Sequence, residues 1–168
     1  IISYYPFSLD GKTILVTGAS SGIGRATAIE CSKMGATVVI TGRNEERLNE
    51  TLSLLDGDMP HKAIIADLSQ EEGIISLIDQ LQIVDGCVNN AGFNITQLVP
   101  FIKLDSVEQI FKTNTTAPIM ITHYLVKKKK IRKGGSIVFT SSISGMGRGG
   151  TSIGISLYSA TKGAIFSF

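Results

Sequence analysis

The sequence lacks the features that mark secreted and membrane proteins. Its two cysteines, Cys31 and Cys87, are too few for a disulfide framework, and both lie in apolar stretches typical of buried, reduced thiols. No apolar run is long enough to span a bilayer, and residues 1–6 lack the basic region and apolar core of a signal peptide. We therefore expect a cytoplasmic protein with no membrane partner.

Excess charge and metal-ligand clusters are also missing. The net charge of +2 is too small to favour nucleic acid as the principal partner. His61 and His123 stand far apart, with no cysteine or acid cluster at ligand spacing, so no metal site is predicted. With 168 residues, 43% of them hydrophobic, the chain is predicted to form a single globular domain over residues 1–168.

Strand-like apolar runs alternate with helical stripes along the chain. Because parallel strands need crossover helices, this alternation predicts an α/β fold of the Rossmann type. Its doubly wound parallel sheet is covered by helices on both faces, which gives three layers. Strands are predicted at residues 13–16, 37–40, 62–66, 84–88 and 135–140, and helices at about 23–34, 45–55, 71–81, 106–130 and from 156.

Several residues predict where these helices end. Asn44 and Ser69 are N-cap residues by type and position, and Gly35 is predicted to end the first helix. Pro118 is predicted to force a kink or a break in the stretch 106–130, since proline has no N–H to donate within a helix.

A glycine-rich turn joins the first strand to the first helix. It reads Thr-Gly-Ala-Ser-Ser-Gly-Ile-Gly over residues 17–24, a spacing that differs from the common dinucleotide fingerprint. Glycine lets the backbone approach a ligand closely, and a helix N-terminus offers unpaired N–H groups to an anion. The turn therefore predicts a phosphate cradle, although any tight turn into a helix also favours glycine.

Candidate ligand-binding residues follow the predicted strands. The glycine-rich turn, Arg43, Asp67, Asn90 and Ser142 all fall at carboxyl ends of strands. The carboxyl ends of parallel strands meet at one edge of the sheet, where ligands of such folds bind. This placement predicts a binding site at that edge.

Tyr158 and Lys162 are four residues apart on the last predicted helix, so both can project from one face. A tyrosine with its usual pKa, near about 10, is a slow acid–base group at neutral pH. A neighbouring ammonium favours the phenolate and lowers that pKa, which makes the tyrosine a usable proton donor or acceptor. The alternative is that Tyr158 packs and Lys162 is a solvated surface charge.

These motifs occur in order with Asn-Asn-Ala-Gly at 89–92 and with Asn114, and together they resemble the short-chain dehydrogenase/reductase family from Lys12 to the last residue. Within the family, the chain resembles the 3-oxoacyl-[acyl-carrier-protein] reductase type. The resemblance implies an NADP-dependent oxidoreductase that interconverts a ketone, here a 3-oxoacyl thioester of fatty acid biosynthesis, and a secondary alcohol. It also implies a homo-oligomer, dimer or tetramer.

Two other functions remain open at this point. A non-catalytic nucleotide-binding or interaction module could share the fold. A sugar-nucleotide epimerase or dehydratase shares the Tyr–Lys pair but usually has a different glycine spacing.

The resemblance implies a role for each matching catalytic residue. Tyr158 would protonate the carbonyl oxygen as hydride arrives, and Lys162 would lower its pKa and hold the nicotinamide ribose. Ser142 would hydrogen-bond the substrate oxygen, with Ser144 as the alternative. Asn114 would support a water that links Lys162 to solvent, since an amide can hold water by both ends.

The resemblance also implies a coenzyme site. Asp67 would lie by the adenine amino group with the backbone of Leu68, although capping the next helix is an equal alternative. The predicted coenzyme-binding residues are Gly18, Ser20, Ser21, Gly22, Ile23, Gly24, Arg43, Asp67, Leu68, Asn90, Ala91, Gly92, Tyr158 and Lys162.

Charge at the end of the second strand predicts which coenzyme is used. An Asp or Glu there would bind the ribose 2′-hydroxyl and repel a 2′-phosphate. The segment is instead Thr-Gly-Arg-Asn over residues 41–44. Arg43 can fork onto a phosphate, and Arg25 is predicted to stand nearby, so NADP(H) is favoured over NAD(H). An ordinary surface charge is the alternative for Arg43.

Three stretches complicate the resemblance. Ser142 and Tyr158 are 16 positions apart, longer than is usual in the family, and the extra residues Gly147–Gly150 fall where substrate would enter. The chain ends at Phe168, whereas family members continue with a sixth strand, a substrate lid and a seventh strand, so we expect a domain without these parts. The lysine run 127–130 is predicted to be a solvated helix end, or else a guide for an acidic acyl carrier protein.

Overall fold

The computed structural model describes residues 6–146 and 152–168, so the glycine-rich segment Gly147–Gly150 lies outside the described residues. Five strands form one parallel sheet in the order β3-β2-β1-β4-β5. The strands are β1 (Thr13–Thr17), β2 (Thr37–Gly42), β3 (Lys62–Ile65), β4 (Val84–Asn89) and β5 (Ile131–Phe139). The order reverses between β1 and β4, which confirms the predicted doubly wound Rossmann-type sheet.

Helices cover both faces of this sheet. They are α1 (Gly22–Lys33), α2 (Glu45–Ser53), α3 (Glu71–Gln80), α4 (Leu104–Phe111), α5 (Ala117–Lys127) and α6 (Ser156–Ser167). One apolar cluster joins Leu15 of β1 to α3 and α5, and a second joins Val16 to α1 and α2. Neighbouring residues of β1 thus enter opposite cores, as expected of a strand buried on both faces. No described helix has both the length and the apolar composition needed to cross a bilayer.

The helix predicted over residues 106–130 is two helices joined by a π-helical turn. The turn covers Lys112–Thr116, and the Ala117 N–H donates to the Lys112 carbonyl, five residues back. Pro118 follows in the first turn of α5, and it has no N–H to donate to the carbonyl four residues before it. The backbone therefore stays helical from α4 to α5, so the predicted break is wrong; what changes just before the proline is the hydrogen bonding, which becomes π-helical.

Two other boundaries differ from prediction. β5 begins at Ile131, four residues early, because Ile131 pairs with Val84 before the register shifts to Ser136 opposite Gly86. The prediction that Ser69 caps α3 is wrong: Gln70 occupies the N-cap, and the Ser69 hydroxyl donates to Asp67.

The predicted ends of α1 and α2 are confirmed. The Asn44 side chain accepts a hydrogen bond of 2.8 Å from the Arg47 N–H at the start of α2. Gly35 has φ +93° directly after the C-cap Met34, the left-handed conformation that ends many helices.

The two thiols are expected to differ in reactivity. Cys87 is 1% exposed, and burial raises the pKa of its thiol to about 12; Cys31 is half-buried. Because the thiolate is the reactive form, the native protein should react with a chromogenic disulfide reagent at Cys31 alone. Two thiols should react in denaturant. Rapid reaction of both thiols in the native protein would contradict the core described here.

Candidate active site

The carboxyl ends of the strands enclose a cavity of about 630 Å³ at the point where strand order reverses. This size is typical of small-molecule and cofactor sites. All of the predicted coenzyme-binding residues line it except Gly24, which lies beneath the turn. Among the described residues, Asn114 and Ser142 do not line it.

The three glycines of the turn have different tasks. Gly18 has φ +66°, and a Cβ there would lie 2.7 Å from the Ala91 Cα; a Cβ at Gly24 would lie 2.3 Å from the Gly18 carbonyl oxygen. A side chain at either position would collide with neighbouring backbone, so these two glycines are needed for close packing of the chain. Gly22 has φ +55° and open space around its Cβ position, on the cavity side. The room at Gly22 and the absence of acidic residues from the first turn of α1 fit the phosphates of a dinucleotide coenzyme.

Thr17 holds the second loop of the site, a role that the sequence analysis missed. Its hydroxyl oxygen accepts hydrogen bonds of 3.0 Å from the N–H groups of both Asn90 and Ala91, and it lies 3.4 Å from the Val88 carbonyl. This bonding fixes residues 90–92 against the glycine-rich turn. A threonine directly before Gly18, at a strand end, was the only sequence signal.

Tyr158 and Lys162 both line the cavity from α6. The Lys162 Nζ lies 5.7 Å from the centroid of the Tyr158 ring and donates a 2.6 Å hydrogen bond to the Thr140 carbonyl at the end of β5. Lys162 is only 4% exposed, and this burial lowers the pKa of its ammonium. The tyrosine and the lysine thus share one face of the helix and one cavity.

Asn114 lies beside this pair, but its side-chain amide is hydrogen-bonded to other groups of the protein. Its Nδ2 donates to the Phe93 carbonyl at 2.8 Å and its Oδ1 accepts from the Phe93 N–H at 3.0 Å. Nδ2 also lies 3.2 Å from the Thr161 hydroxyl. The expectation that the amide holds a water by both ends is therefore corrected: the amide pins the loop after β4 to α6.

The three serines after β5 are also engaged. The Ser141 hydroxyl donates to the Lys162 carbonyl at 3.0 Å and so fastens the strand end to α6. The hydroxyls of Ser142 and Ser144 lie 2.8 Å apart and share a hydrogen bond. Ser142 also precedes the short 3₁₀ turn Ile143–Gly145 as its N-cap.

The end of the cavity that is predicted to bind adenosine is lined by Asp67 and Arg43, whereas Arg25 lies outside it. Asp67 Oδ1 accepts from the N–H and the hydroxyl of Ser69, and Gln70 is the N-cap of α3, so the alternative that Asp67 caps this helix is wrong. Arg43 is exposed at the cavity and makes no ion pair or side-chain hydrogen bond with another described residue. Arg25 does not join it: its guanidinium bonds to Thr51 of α2 and to the Ser20 carbonyl, and it does not line the cavity.

The buried ammonium predicts a pH dependence of stability. Because the pKa of Lys162 is lowered from 10.5 by burial, the unfolded chain holds this proton to a higher pH than the folded chain. The free energy of unfolding of the wild type, compared with that of Lys162→Met, should therefore rise as the pH rises from the lowered pKa of the folded state to 10.5. Urea unfolding at several pH values between about 7 and 10 measures the difference, and a difference that does not change with pH would contradict the burial of a charged lysine.

Comparisons with known proteins agree with this geometry. A family model described as short chain dehydrogenase matches residues 12–168. The 3-oxoacyl-[acyl-carrier-protein] reductase of Aquifex aeolicus is 34% identical over 95% of this chain and 66% of its own length. The 3-ketodihydrosphingosine reductase of Bos taurus is 30% identical over 98% of this chain and 52% of its own. The chain thus spans between about half and two thirds of the length of these curated relatives.

Solved structures give the same result for the fold. A short chain dehydrogenase from Burkholderia cenocepacia in complex with NADP superposes with a TM-score of 0.84 and 30% identity, over 95% of this chain and 66% of the other.

Proposed function

Since this chain belongs to the short chain dehydrogenase family, we propose that it catalyses NADP(H)-dependent reduction of a ketone to a secondary alcohol, or the reverse, with a 3-oxoacyl thioester as substrate. The observation that carries the proposal is the Tyr158–Lys162 pair, which shares one cavity with the glycine-rich turn. The bound coenzyme supplies or accepts the hydride, so the chain's own residues bind, orient and move a proton.

Tyr158 is the proton donor in this proposal. Its ring lies in the cavity on the first half of α6, and its hydroxyl can donate to a carbonyl oxygen and accept a proton in return. The Lys162 ammonium, one helical turn away, stabilises the phenolate that remains after the proton leaves. The low exposure of Lys162 strengthens this effect, because water screens the two charges less at a buried site.

A proton must then return to Tyr158 from solvent. Pro118 has no N–H to donate to the Asn114 carbonyl four residues before it, so this carbonyl lacks its α-helical partner. We assign the proposed relay water to that main-chain oxygen, since the side-chain amide is bonded to Phe93. Asn114 lies within the π-helical turn, a feature common at functional sites. Its side-chain Oδ1 and the Lys162 Nζ both lie within 4 Å of the Cβ position of Gly92, which places this residue next to the lysine.

Arg43 is the proposed reader of the coenzyme's 2′-phosphate. Replacing it by glutamate should lower kcat/KM for NADPH by about 10- to 100-fold, because a charge-assisted hydrogen bond is lost and a repulsion is added. The value for NADH should change far less. Parallel assays with NADPH and NADH measure the ratio. Lys62→Glu is the control, since it reverses an exposed charge at the amino-terminal edge of the sheet.

One panel assay tests the function as a whole. Ketones, 3-oxoacyl thioesters and sugars are offered with NADPH, and with NADH as the comparison, while nicotinamide absorbance is followed. Oxidation of NADPH with a 3-oxoacyl thioester is the expected result. Coenzyme binding without reduction of any ketone would instead favour a nucleotide-binding module, and the size of the protein in solution with and without NADPH tests the expected homo-oligomer.

A further inference from the structure

Behind the glycine-rich turn, Arg25 of α1 reaches across to α2. Its Nε donates a 2.9 Å hydrogen bond to the Thr51 hydroxyl, and its Nη2 donates one of 2.8 Å to the Ser20 carbonyl. Nη2 also contacts a Glu50 carboxylate oxygen at 3.1 Å and the Arg47 carbonyl at 3.3 Å. The Arg25 guanidinium therefore makes its contacts on the side of the turn that faces away from the cavity.

Thr51 completes this connection, which we call the Arg25–Thr51 bridge. Its side chain is fully buried, and its hydroxyl accepts a hydrogen bond from Arg25. The hydroxyl hydrogen faces two carbonyls, that of Ala19 at 2.9 Å and that of Arg47 in its own helix at 3.1 Å, and the Ala19 carbonyl is the nearer. The two side chains thus hold the consecutive carbonyls of Ala19 and Ser20. The next residues, Ser21 to Ile23, line the cavity.

The bridge connects two parts of the coenzyme site that are distant in sequence. α2 starts two residues after Arg43, and its residues 47, 50 and 51 all contact Arg25. A peptide unit whose carbonyl is fixed on one side has its orientation fixed as a whole, because the peptide is planar. The bridge therefore sets both the direction of the turn's peptide groups and the distance between the turn and α2.

We propose that Arg25 and Thr51 are positioning residues, which hold the glycine-rich turn in its coenzyme-binding shape without touching the coenzyme. This inference rests on the proposed function only in that the bound molecule is NADP(H). It predicts that coenzyme affinity depends on side chains at the back of the turn.

The test is the dissociation constant of NADPH, measured by the fluorescence of the bound nicotinamide in the absence of substrate. Thr51→Val removes the hydroxyl at nearly constant volume, and Arg25→Met removes the fork while keeping an unbranched side chain. Each should raise the dissociation constant by about three- to tenfold, the equivalent of a lost hydrogen bond. In steady state, the KM for NADPH should rise more than kcat falls.

Conservative variants and a double variant separate positioning from general stability. Thr51→Ser keeps the hydroxyl and should restore most of the affinity. The variant that combines Arg25→Met with Thr51→Val should lose less NADPH affinity than the product of the two single losses, because the two residues share one hydrogen bond, and more than either single variant, because each also holds its own carbonyl of the turn. Thr122→Val is the matched control: within residues 6–146 and 152–168 its hydroxyl bonds only to the Pro118 carbonyl of its own helix, so its loss should leave NADPH affinity unchanged.

The outcomes distinguish this inference from the proposed function. Single variants that melt at a lower temperature but bind NADPH within twofold of wild type would overturn the inference and reduce the bridge to a structural contact. A wild type that binds NADPH but reduces no ketone would overturn the proposed function and leave the inference standing if the affinity losses are found. A wild type that binds neither coenzyme would overturn both.

Discussion

Replacing Tyr158 by phenylalanine is expected to slow ketone reduction by about 10³-fold or more, while NADPH binds nearly as well as to wild type. The change removes only the hydroxyl, and the ring, which lies 5.7 Å from the Lys162 Nζ, stays in place. Without the hydroxyl, the proposed proton donor to the carbonyl oxygen is lost. Single-turnover absorbance at saturating NADPH measures the chemical step, and fluorescence titration measures coenzyme binding.

Tyr124→Phe is the matched control for this experiment. This variant also loses a tyrosine hydroxyl, one that donates to Glu71 at 2.5 Å between α3 and α5, and neither Tyr124 nor Glu71 lines the cavity. The Tyr124→Phe variant should lose some stability and keep the turnover of the wild type. If Tyr158→Phe retained more than a tenth of wild-type turnover, or Tyr124→Phe lost as much as Tyr158→Phe, the acid–base role of Tyr158 would be wrong.

The sheet could be predicted from the sequence because its strands are buried on both faces. Such strands are continuous apolar runs, and their alternation with helical stripes has few topological solutions. The boundaries were less accurate where pairing, rather than composition, decides them. Residues 131–134 are mostly polar and belong to β5 only because Val84 pairs with Ile131. The Ser69 cap failed for a similar reason, since Asp67 engages its hydroxyl first.

The same distinction between local pattern and long-range contact applies to the residues of the site. Residues that act through type and local spacing, such as Tyr158 with Lys162 or the glycines of the turn, could be found in the sequence. The side-chain partners of Asn114 and Arg25 could not, because the hydrogen bonds to Phe93 and Thr51 join residues more than 20 positions apart. An asparagine amide and an arginine were each expected to face ligand, and each instead stabilises the loop that does.

The most direct test of the phosphate cradle is Gly22→Ala, compared with Gly57→Ala. Both glycines have positive φ, +55° and +87°, and neither has an atom within 4 Å of its Cβ position, so the two changes should cost similar stability, about 1 kcal/mol. Only Gly22 lines the cavity, where the added methyl group occupies the space through which a phosphate approaches the α1 N–H groups. We expect Gly22→Ala to weaken NADPH binding by about 100-fold and Gly57→Ala to leave it unchanged. Equal NADPH affinity in the two variants would mean that the turn is a structural connection and that the dinucleotide, if bound, lies elsewhere.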